Sequence, residues 1–357
     1  MPTLEDLGWT PARAAAFAPF EGAGRQPGRV SREHTHIYAV LTPEGEALAR
    51  VAGRLRHQAA ERADFPAIGD WVVLEAPPAG GDARILAVLP RTSRFSRRAA
   101  GDPTEEQVVA ANIDVVFLVG GLDRNFNPRR IERYLLVAWD SGASPVIVLN
   151  KADLVEDAAS YVREVEAIAQ GAPVVAVSAL QPETVDVLRT FLGRGRTGAL
   201  LGSSGVGKSS LANALIGEER LRTREVRARD SRGRHTSTSR EMILLPDAGG
   251  ILVDTPGMRE LQLWDTGEAL AGAFADIETL AESCRFRDCR HASEPGCAVL
   301  AAVEDGRLTD ARLESYRKLQ SEQAFQTRQQ DERAQLEQKR RFKVITKALR
   351  RKLEEDG

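Results

Sequence analysis

The sequence contains little cysteine, and the few thiols that it has are clustered. All three cysteines of the 357-residue chain fall between positions 284 and 297. An odd number of cysteines in one short stretch argues against a disulfide framework. The chain also lacks a run of about 18 uncharged apolar residues, the length that a membrane span needs. Its first residues include acids but no apolar signal core, so we expect a cytoplasmic protein without a membrane partner.

A large net charge is missing as well. The chain has 49 basic and 51 acidic side chains, and its formal net charge of -2 identifies no class of partner. Apolar residues make up 42% of the sequence, which is enough to form the hydrophobic cores of a globular protein. At roughly 100–200 residues per domain, the length predicts two or three domains.

The N-terminal part has the pattern of a small β-domain. Residues 29–90 contain four runs with strand character, HIYAVLTP, ALARVAGRL, DWVVLEAP and ARILAVLP, separated by proline and glycine. This spacing favours a five-stranded OB-fold barrel, a scaffold that commonly binds oligonucleotides. Any other small all-β domain is the alternative. A basic connector, RTSRFSRR, follows at residues 91–98. We therefore expect an OB-fold RNA-binding domain over residues 1–100.

The pattern changes near residue 112 to continuous apolar runs, which are typical of buried parallel strands. These runs alternate with helical stretches at 128–141, 155–169 and 182–192. The alternation predicts an α/β domain with a mostly parallel sheet over residues 101–265. Strand patterns are absent from residues 266–357, where we expect a helical domain that ends in long helices.

The stretch LGSSGVGKSS matches the phosphate-loop pattern G-x-x-x-x-G-K-[ST] between an apolar strand and a helix. In such a loop, backbone N–H groups surround the phosphates, the lysine reaches the β- and γ-phosphates, and the hydroxyl after it ligates magnesium. The candidate residues are Gly202, Ser203, Ser204, Gly205, Val206, Gly207, Lys208, Ser209 and Ser210.

Another apolar strand ends in DTPG at residues 254–257. At this distance after a phosphate loop, Asp254 is expected to hold magnesium through water. The amide of Gly257 is expected to meet the γ-phosphate.

Two further strands end in motifs that suit a guanine base. In NKAD, the Asp153 carboxylate can accept two hydrogen bonds from the guanine edge, a donor pair that adenine lacks. Asn150 would brace the loop, and the Lys151 stem would cover one face of the ring. The SAL stretch, Ser178, Ala179 and Leu180, would place the Ala179 amide near guanine O6.

All four motifs follow strands, so all can face one crevice at the carboxyl edge of a single sheet. The base motifs precede the phosphate motifs, which is a circular permutation of the usual GTPase order. Permutation is tolerated where the original termini lie close together at the surface. The sequence therefore predicts a GTP- and GDP-binding domain in permuted order.

The cysteine cluster has metal-ligand spacing. Cys284, Cys289, His291 and Cys297 form a C-x4-C-x-H-x5-C pattern. Three thiolates and one imidazole make a closed tetrahedral zinc set, so we expect one structural zinc ion. Free buried cysteines are the alternative.

Two segments are strongly basic. Residues 339–352, KRRFKVITKALRRK, hold eight lysines or arginines and no acid, and residues 220–240 hold eight arginines. A basic amphipathic helix can bind nucleic acid, acidic lipid or an acidic protein partner. The alternative is a solvent-exposed tail that binds none of these. Together with an OB-like barrel the pattern favours RNA, mainly through phosphate contacts. The arginines at 91–98 would extend the same surface.

With GRHTSTSRE and DTPGMREL, these motifs resemble the circularly permuted GTPases of bacterial small-subunit assembly, the ribosome small-subunit-dependent GTPase A family. The resemblance covers nearly the whole chain. It implies GTP hydrolysis stimulated by the small ribosomal subunit, a role in late maturation of that subunit through rRNA, and zinc at the four Cys/His positions. An RNA-docking factor that uses GTP as a slow clamp is the alternative. We expect a monomer.

The segment between the phosphate loop and DTPG contains the remaining candidates. Met258 stands where many GTPases carry a glutamine that orients water, so another group must do so. The resemblance places a candidate catalytic histidine at His235. The alternative is a histidine that contacts RNA or solvent and has no catalytic role. Thr236 or Thr238 would bind magnesium with GTP, and the spacing does not choose between them.

Overall fold

The structure, a computed structural model, describes residues 2–22, 24–34, 37–76, 81–99, 102–124, 126–169, 171–218, 241–254, 274–310, 312–321, 324 and 328. The candidates His235, Thr236, Thr238 and Gly257 lie outside these residues, as do the basic segments 220–240 and 339–352. The chain divides into two compact units. One consists of Met1–Arg98 with Glu105–Leu263, and the other consists of Ala99–Thr104 with Trp264–Gly357.

The N-terminal β-domain is a closed five-stranded barrel, as the sequence predicts. Its strands are β1 Arg25–His34, β2 Ile37–Thr42, β3 Gly45–Val51, β4 Trp71–Glu75 and β5 Ala83–Val88. The barrel closes because β1 pairs with both β2 and β4, while β5 pairs with β3 and β4. Its core contains Val30, Val40, Val72, Leu74 and Ile85. The run ALARVAGRL is not one strand, because α2 (Gly53–Gln58) follows β3 directly. Helix α1 (Pro11–Phe17) precedes the barrel.

The second half of the first unit is the predicted α/β domain. Its strands are β8 Val115–Gly121, β9 Ser144–Asn150, β10 Val174–Ala176, β11 Thr197–Leu201, β12 Glu241–Leu244 and β13 Ile251–Asp254. Its helices are α3 Pro128–Ser141, α4 Ala158–Glu166, α5 Pro182–Arg189 and α6 Lys208–Ile216. The strand order β10-β9-β8-β11-β13 is parallel throughout, and β12 joins antiparallel to β13.

Helix α3 shows how local sequence determines the bounds of an element. The Asn127 side chain accepts a hydrogen bond from the Arg130 backbone N–H, and Pro128 occupies the first helical position. Gly142 ends the helix in the left-handed conformation with φ 84°. These are strong start and stop signals, and the helix covers the predicted residues 128–141.

A buried arginine links the barrel to the α/β domain. Arg29 on β1 is fully buried and donates to the backbone carbonyls of Leu7, Gly69 and Asn112. Burial lowers the pKa of its guanidinium to about 9. The sheet also continues between the two parts, since Arg32 of β1 is opposite Glu241 of β12. The first unit is therefore tied together by a buried cation as well as by strand pairing.

The stretch RTSRFSRR is not a connector, and its first arginine is not available to RNA. Arg91 forms an ion pair with the fully buried Asp70 at 2.7 Å and donates to the carbonyls of Ala63 and Phe65. The rest of the stretch forms β6 (Arg94–Ala99), which pairs with β7 (Asp102–Ala111).

From residue 274 on, the described part of the second unit consists of helices joined by loops. It contains α7 (Ala275–Ala281), α8 (Ala298–Glu304) and helical residues 312–321. Its buried side chains include Phe274, Ile277, Val299, Leu313 and Tyr316. Across the described residues of both units, none of the helices has the length and apolar character required to cross a membrane.

Candidate nucleotide site and metal centre

The phosphate-loop sequence forms a turn between β11 and α6, at the carboxyl end of the sheet. A Cβ at Gly202 would collide with the Val119 carbonyl, and one at Gly207 would collide with the Asn150 amide. Gly207 also has a φ of 96°, which L side chains rarely adopt. Helix α6 begins at Lys208, whose Nζ donates to the carbonyls of Gly202 and Ser203 at 2.8 and 2.7 Å. The glycines thus allow a tight loop that ends at a helix N-terminus, an arrangement suited to anions.

The NKAD stretch is hydrogen-bonded to this loop, although fifty residues separate the two in sequence. Asn150 is buried at the end of β9, and its Nδ2 donates to the Val206 carbonyl at 2.8 Å. Lys151 Nζ donates to the Gly205 carbonyl at 2.7 Å and forms an ion pair with Asp123 at 2.6 Å. The base motif and the phosphate motif therefore belong to one constellation.

The SAL stretch completes the base side. The buried Ser178 hydroxyl donates to Asp153 Oδ1 at 2.5 Å, which orients this carboxylate. The Ala179 N–H donates to Asn150 Oδ1 at 3.1 Å, so in this structure it is engaged by Asn150. The Leu180 side chain is 81% exposed. Asn150 accordingly bridges the loops that follow β9, β10 and β11.

Asp254 lies at the carboxyl end of β13, the strand beside β11. Its side chain is half-buried, and Ser209 is half-buried in the first turn of α6. Parallel neighbouring strands end at the same edge of a sheet. The two predicted magnesium residues are thus on the edge that carries the phosphate loop.

Sequence reasoning missed two residues of the constellation, Asp123 and Arg130. Asp123 follows β8 and holds Lys151, and Arg130 Nη1 donates to Ser203 Oγ at 3.0 Å from the first turn of α3. Neither belongs to a recognised motif. The position of β8 could have identified them. Because β8 pairs in parallel with both β9 and β11, the residues that follow it lie at the sheet edge that carries the NKAD stretch and the phosphate loop.

The Cys/His cluster lies in the second unit. The ligand atoms of Cys284, Cys289, His291 and Cys297 all lie within 4.8 Å of one another. The Sγ atoms of Cys284 and Cys297 are 3.9 Å apart, and His291 Nδ1 is 3.4 Å from Cys297 Sγ. Two sulfurs at about 2.3 Å from a tetrahedral zinc ion would be about 3.8 Å apart. The donor set and its spacing therefore fit zinc.

The surroundings of the cluster fit the same ion. Burial lowers the pKa of His291, which favours the neutral imidazole that binds metals. Among the described residues, buried Nε and Nη2 of Arg317 have no hydrogen-bond acceptor, and the Arg317 charge acts on His291. Three thiolates around a divalent ion carry one net negative charge. A bound zinc centre would thus supply a counter-charge for this arginine.

The strand order, the phosphate loop and the displaced base motif together define a class, the circularly permuted P-loop GTPases. The profile described as RsgA GTPase matches residues 88–264. The chain is 48% identical to "Small ribosomal subunit biogenesis GTPase RsgA" of Opitutus terrae, with 98% of this chain and 97% of the relative covered. It is 42% identical to the protein of the same name from Methanosarcina acetivorans, with 96% and 92% covered. This chain belongs to the RsgA GTPase family.

Solved structures agree with this membership. The crystal structure of YjeQ from Thermotoga maritima superposes with a TM-score of 0.62 at 32% identity, covering 83% of this chain and 97% of that one. YloQ, described as a circularly permuted GTPase, gives a TM-score of 0.57 at 25% identity, covering 87% and 96%.

Proposed function

We propose that this protein is a GTP hydrolase that the small ribosomal subunit stimulates, and that it acts in late maturation of that subunit. The names of its full-length relatives support the subunit as partner. The observation that carries the nucleotide assignment is the set of hydrogen bonds from Asn150 and Lys151 to the phosphate loop. These bonds support a site in which the NKAD stretch reads guanine beside a loop that binds the phosphates.

We assign the residues of this site by their chemistry. The Asp153 carboxylate, oriented by Ser178, accepts the two guanine donors. Lys208 and the amides of residues 202–210 hold the phosphates, and Ser209 and Asp254 hold magnesium. Magnesium, when bound, would neutralise phosphate charge. His235, Thr236, Thr238 and Gly257 keep the roles that the sequence predicts for them.

Zinc, in this proposal, is structural. Four protein ligands leave no open coordination position, so the ion would hold the loop 284–297 rather than take part in chemistry. The three parts then serve as an OB-fold domain over 1–100, a GTPase domain over 101–265 and a zinc-binding helical domain over 266–357. We further propose that the barrel and the basic tail bind rRNA and that the protein is a cytoplasmic monomer.

Turnover of GTP by purified protein, with and without purified small ribosomal subunits, tests the function. We expect slow basal turnover and a rise of at least about tenfold with small subunits. Large subunits and ATP serve as matched controls and should produce no rise. Tight GTP binding without stimulated turnover would instead identify an RNA-docking factor that uses nucleotide as a clamp.

A further inference from the structure

Arg130 reaches the phosphate loop from the first turn of α3. Its Nη1 donates to Ser203 Oγ at 3.0 Å, while Lys208 Nζ donates to the Ser203 carbonyl at 2.7 Å. Two cations from distant parts of the chain therefore contact one residue of the loop. The Asn127 cap holds the start of α3, and with it the backbone of Arg130, in place.

Arg130 differs from two other partly buried arginines, Arg91 and Arg312, in the kind of partner that it has. Arg91 is paired with Asp70, and Arg312 is paired with Asp276. Within the described part of the chain, Arg130 has no carboxylate partner, and its side-chain hydrogen bond goes to the neutral Ser203 hydroxyl. A half-buried cation without a counter-charge costs free energy, which an anion bound nearby would offset.

The Ser203 hydroxyl can connect the Arg130 guanidinium to a bound anion through hydrogen bonds. It accepts from Arg130, and none of the described residues accepts its own hydrogen. A hydroxyl that accepts from a guanidinium becomes a stronger donor, since hydrogen bonds in a chain polarise one another. A phosphate oxygen is the acceptor that a loop of this kind would bring.

We propose that Arg130 is a positioning residue of the phosphate site. It holds the Ser203 hydroxyl and adds a second positive charge beside that of Lys208. This inference rests on the proposed function, because it requires a nucleoside polyphosphate in the loop. The effect should be larger for GTP than for GDP, since the triphosphate carries more negative charge.

Titration of GTP and GDP at low and high salt tests the proposal with three variants. Arg130→Ala removes charge and hydrogen bond, Arg130→Gln can keep a hydrogen bond without charge, and Ser203→Ala keeps the charge alone. We expect Arg130→Ala to weaken GTP binding about tenfold, as for one charge-assisted hydrogen bond, and GDP binding less. The GTP affinities of Arg130→Gln and Ser203→Ala should lie between those of Arg130→Ala and the wild type. The dependence of GTP affinity on salt concentration should become weaker only in Arg130→Ala and Arg130→Gln, the two variants that lose the charge.

Controls separate this role from a structural one. Arg163→Ala, at an exposed arginine of α4 near Asp157, should bind both nucleotides as the wild type does. The losses of GTP affinity caused by Arg130→Ala and by Ser203→Ala should not add in the double variant, because both substitutions interrupt the same interaction. Should Arg130→Ala fail to fold, Arg130→Gln and Arg130→Lys decide the question, and the lysine is expected to restore most of the GTP preference.

Wild-type affinities for GTP and GDP in folded Arg130 variants would overturn the inference and leave the proposed function intact. Failure of the wild-type protein to bind GTP would overturn both. The two failures are therefore distinguishable in the same titration.

Discussion

At the scale of single residues, a few buried polar side chains carry both the site and the stability of the fold. Asn150 connects three loops, and Ser178 orients Asp153. Asp70 is fully buried and depends on Arg91 for its counter-charge. Each of these groups is satisfied by a specific partner, so a single substitution should leave an identifiable group unpaired.

Asp153→Asn should exchange one base preference for another. The asparagine amide cannot accept two hydrogen bonds from guanine, and we expect GTP affinity to fall by at least about a hundredfold. Xanthosine triphosphate carries a carbonyl in place of the guanine amino group, so its affinity should rise. Fluorescence titration of both nucleotides checks this. Asp157→Asn is the control, because an asparagine can still cap α4. An unchanged GTP affinity in Asp153→Asn would remove Asp153 from base recognition.

Arg91→Ala should destabilise the protein by about 3–5 kcal/mol, because it leaves the buried Asp70 carboxylate without its ion-pair partner and with only the Ala67 N–H as a donor. Burial already raises the pKa of Asp70. The folded state of the variant therefore binds a proton more readily than the unfolded state. The loss of unfolding free energy relative to the wild type should accordingly become smaller as the pH falls. Urea unfolding at several pH values measures this. Arg84→Ala, which breaks an exposed ion pair with Glu75, should cost at most about 1 kcal/mol. A deficit that does not depend on pH would contradict the account.

At the scale of elements, the sequence predicted most where local signals were strong. Helix α3 has the predicted bounds because Asn127 and Gly142 determine its two ends. Strand β1 was not recognised as a run, because RQPGRVSREH is rich in charge and contains proline and glycine. It is a strand because the barrel buries Arg29 and Val30.

The same contrast holds within the site. The motif residues at 150–153 and 202–209 were predicted, since strand-end motifs have recognisable patterns. Asp123 and Arg130 were not, because their roles arise from contacts across the sheet edge. The role of Arg91 was misassigned, since charge alone does not distinguish an RNA-facing arginine from one that pairs with a buried acid.

Zinc binding at the Cys/His cluster and the stability of helix α8 should depend on each other. Cys297 is a candidate ligand and also the N-cap of α8, where its Sγ accepts from the Leu300 N–H. Cys284→Ser should therefore lose bound zinc and part of the helical signal of the second unit. Zinc content by mass spectrometry and helicity by circular dichroism check this. The neighbouring exposed Ser283→Ala is the control. Wild-type protein purified without any zinc would contradict the assignment.

At the scale of the whole molecule, the strand order reconciles the permuted chain with one site. Base motifs follow β9 and β10, and phosphate motifs follow β11 and β13, yet the spatial order β10-β9-β8-β11-β13 brings their ends to one edge. A parallel sheet collects its loops by position in space, and the order of the strands along the chain does not matter. The permutation therefore changes connectivity while it keeps the strand-end loops at one edge of the sheet.

Calorimetric titration of the wild-type protein with GDP and with ADP is the most direct test of this convergence. A single pocket that pairs Asp153 with guanine and Lys208 with phosphate should bind one GDP per chain. It should discriminate against ADP by about 10⁴-fold, as expected for a site built on buried polar pairing. Equal affinity for the two nucleotides, or no heat of binding with GDP, would contradict the account.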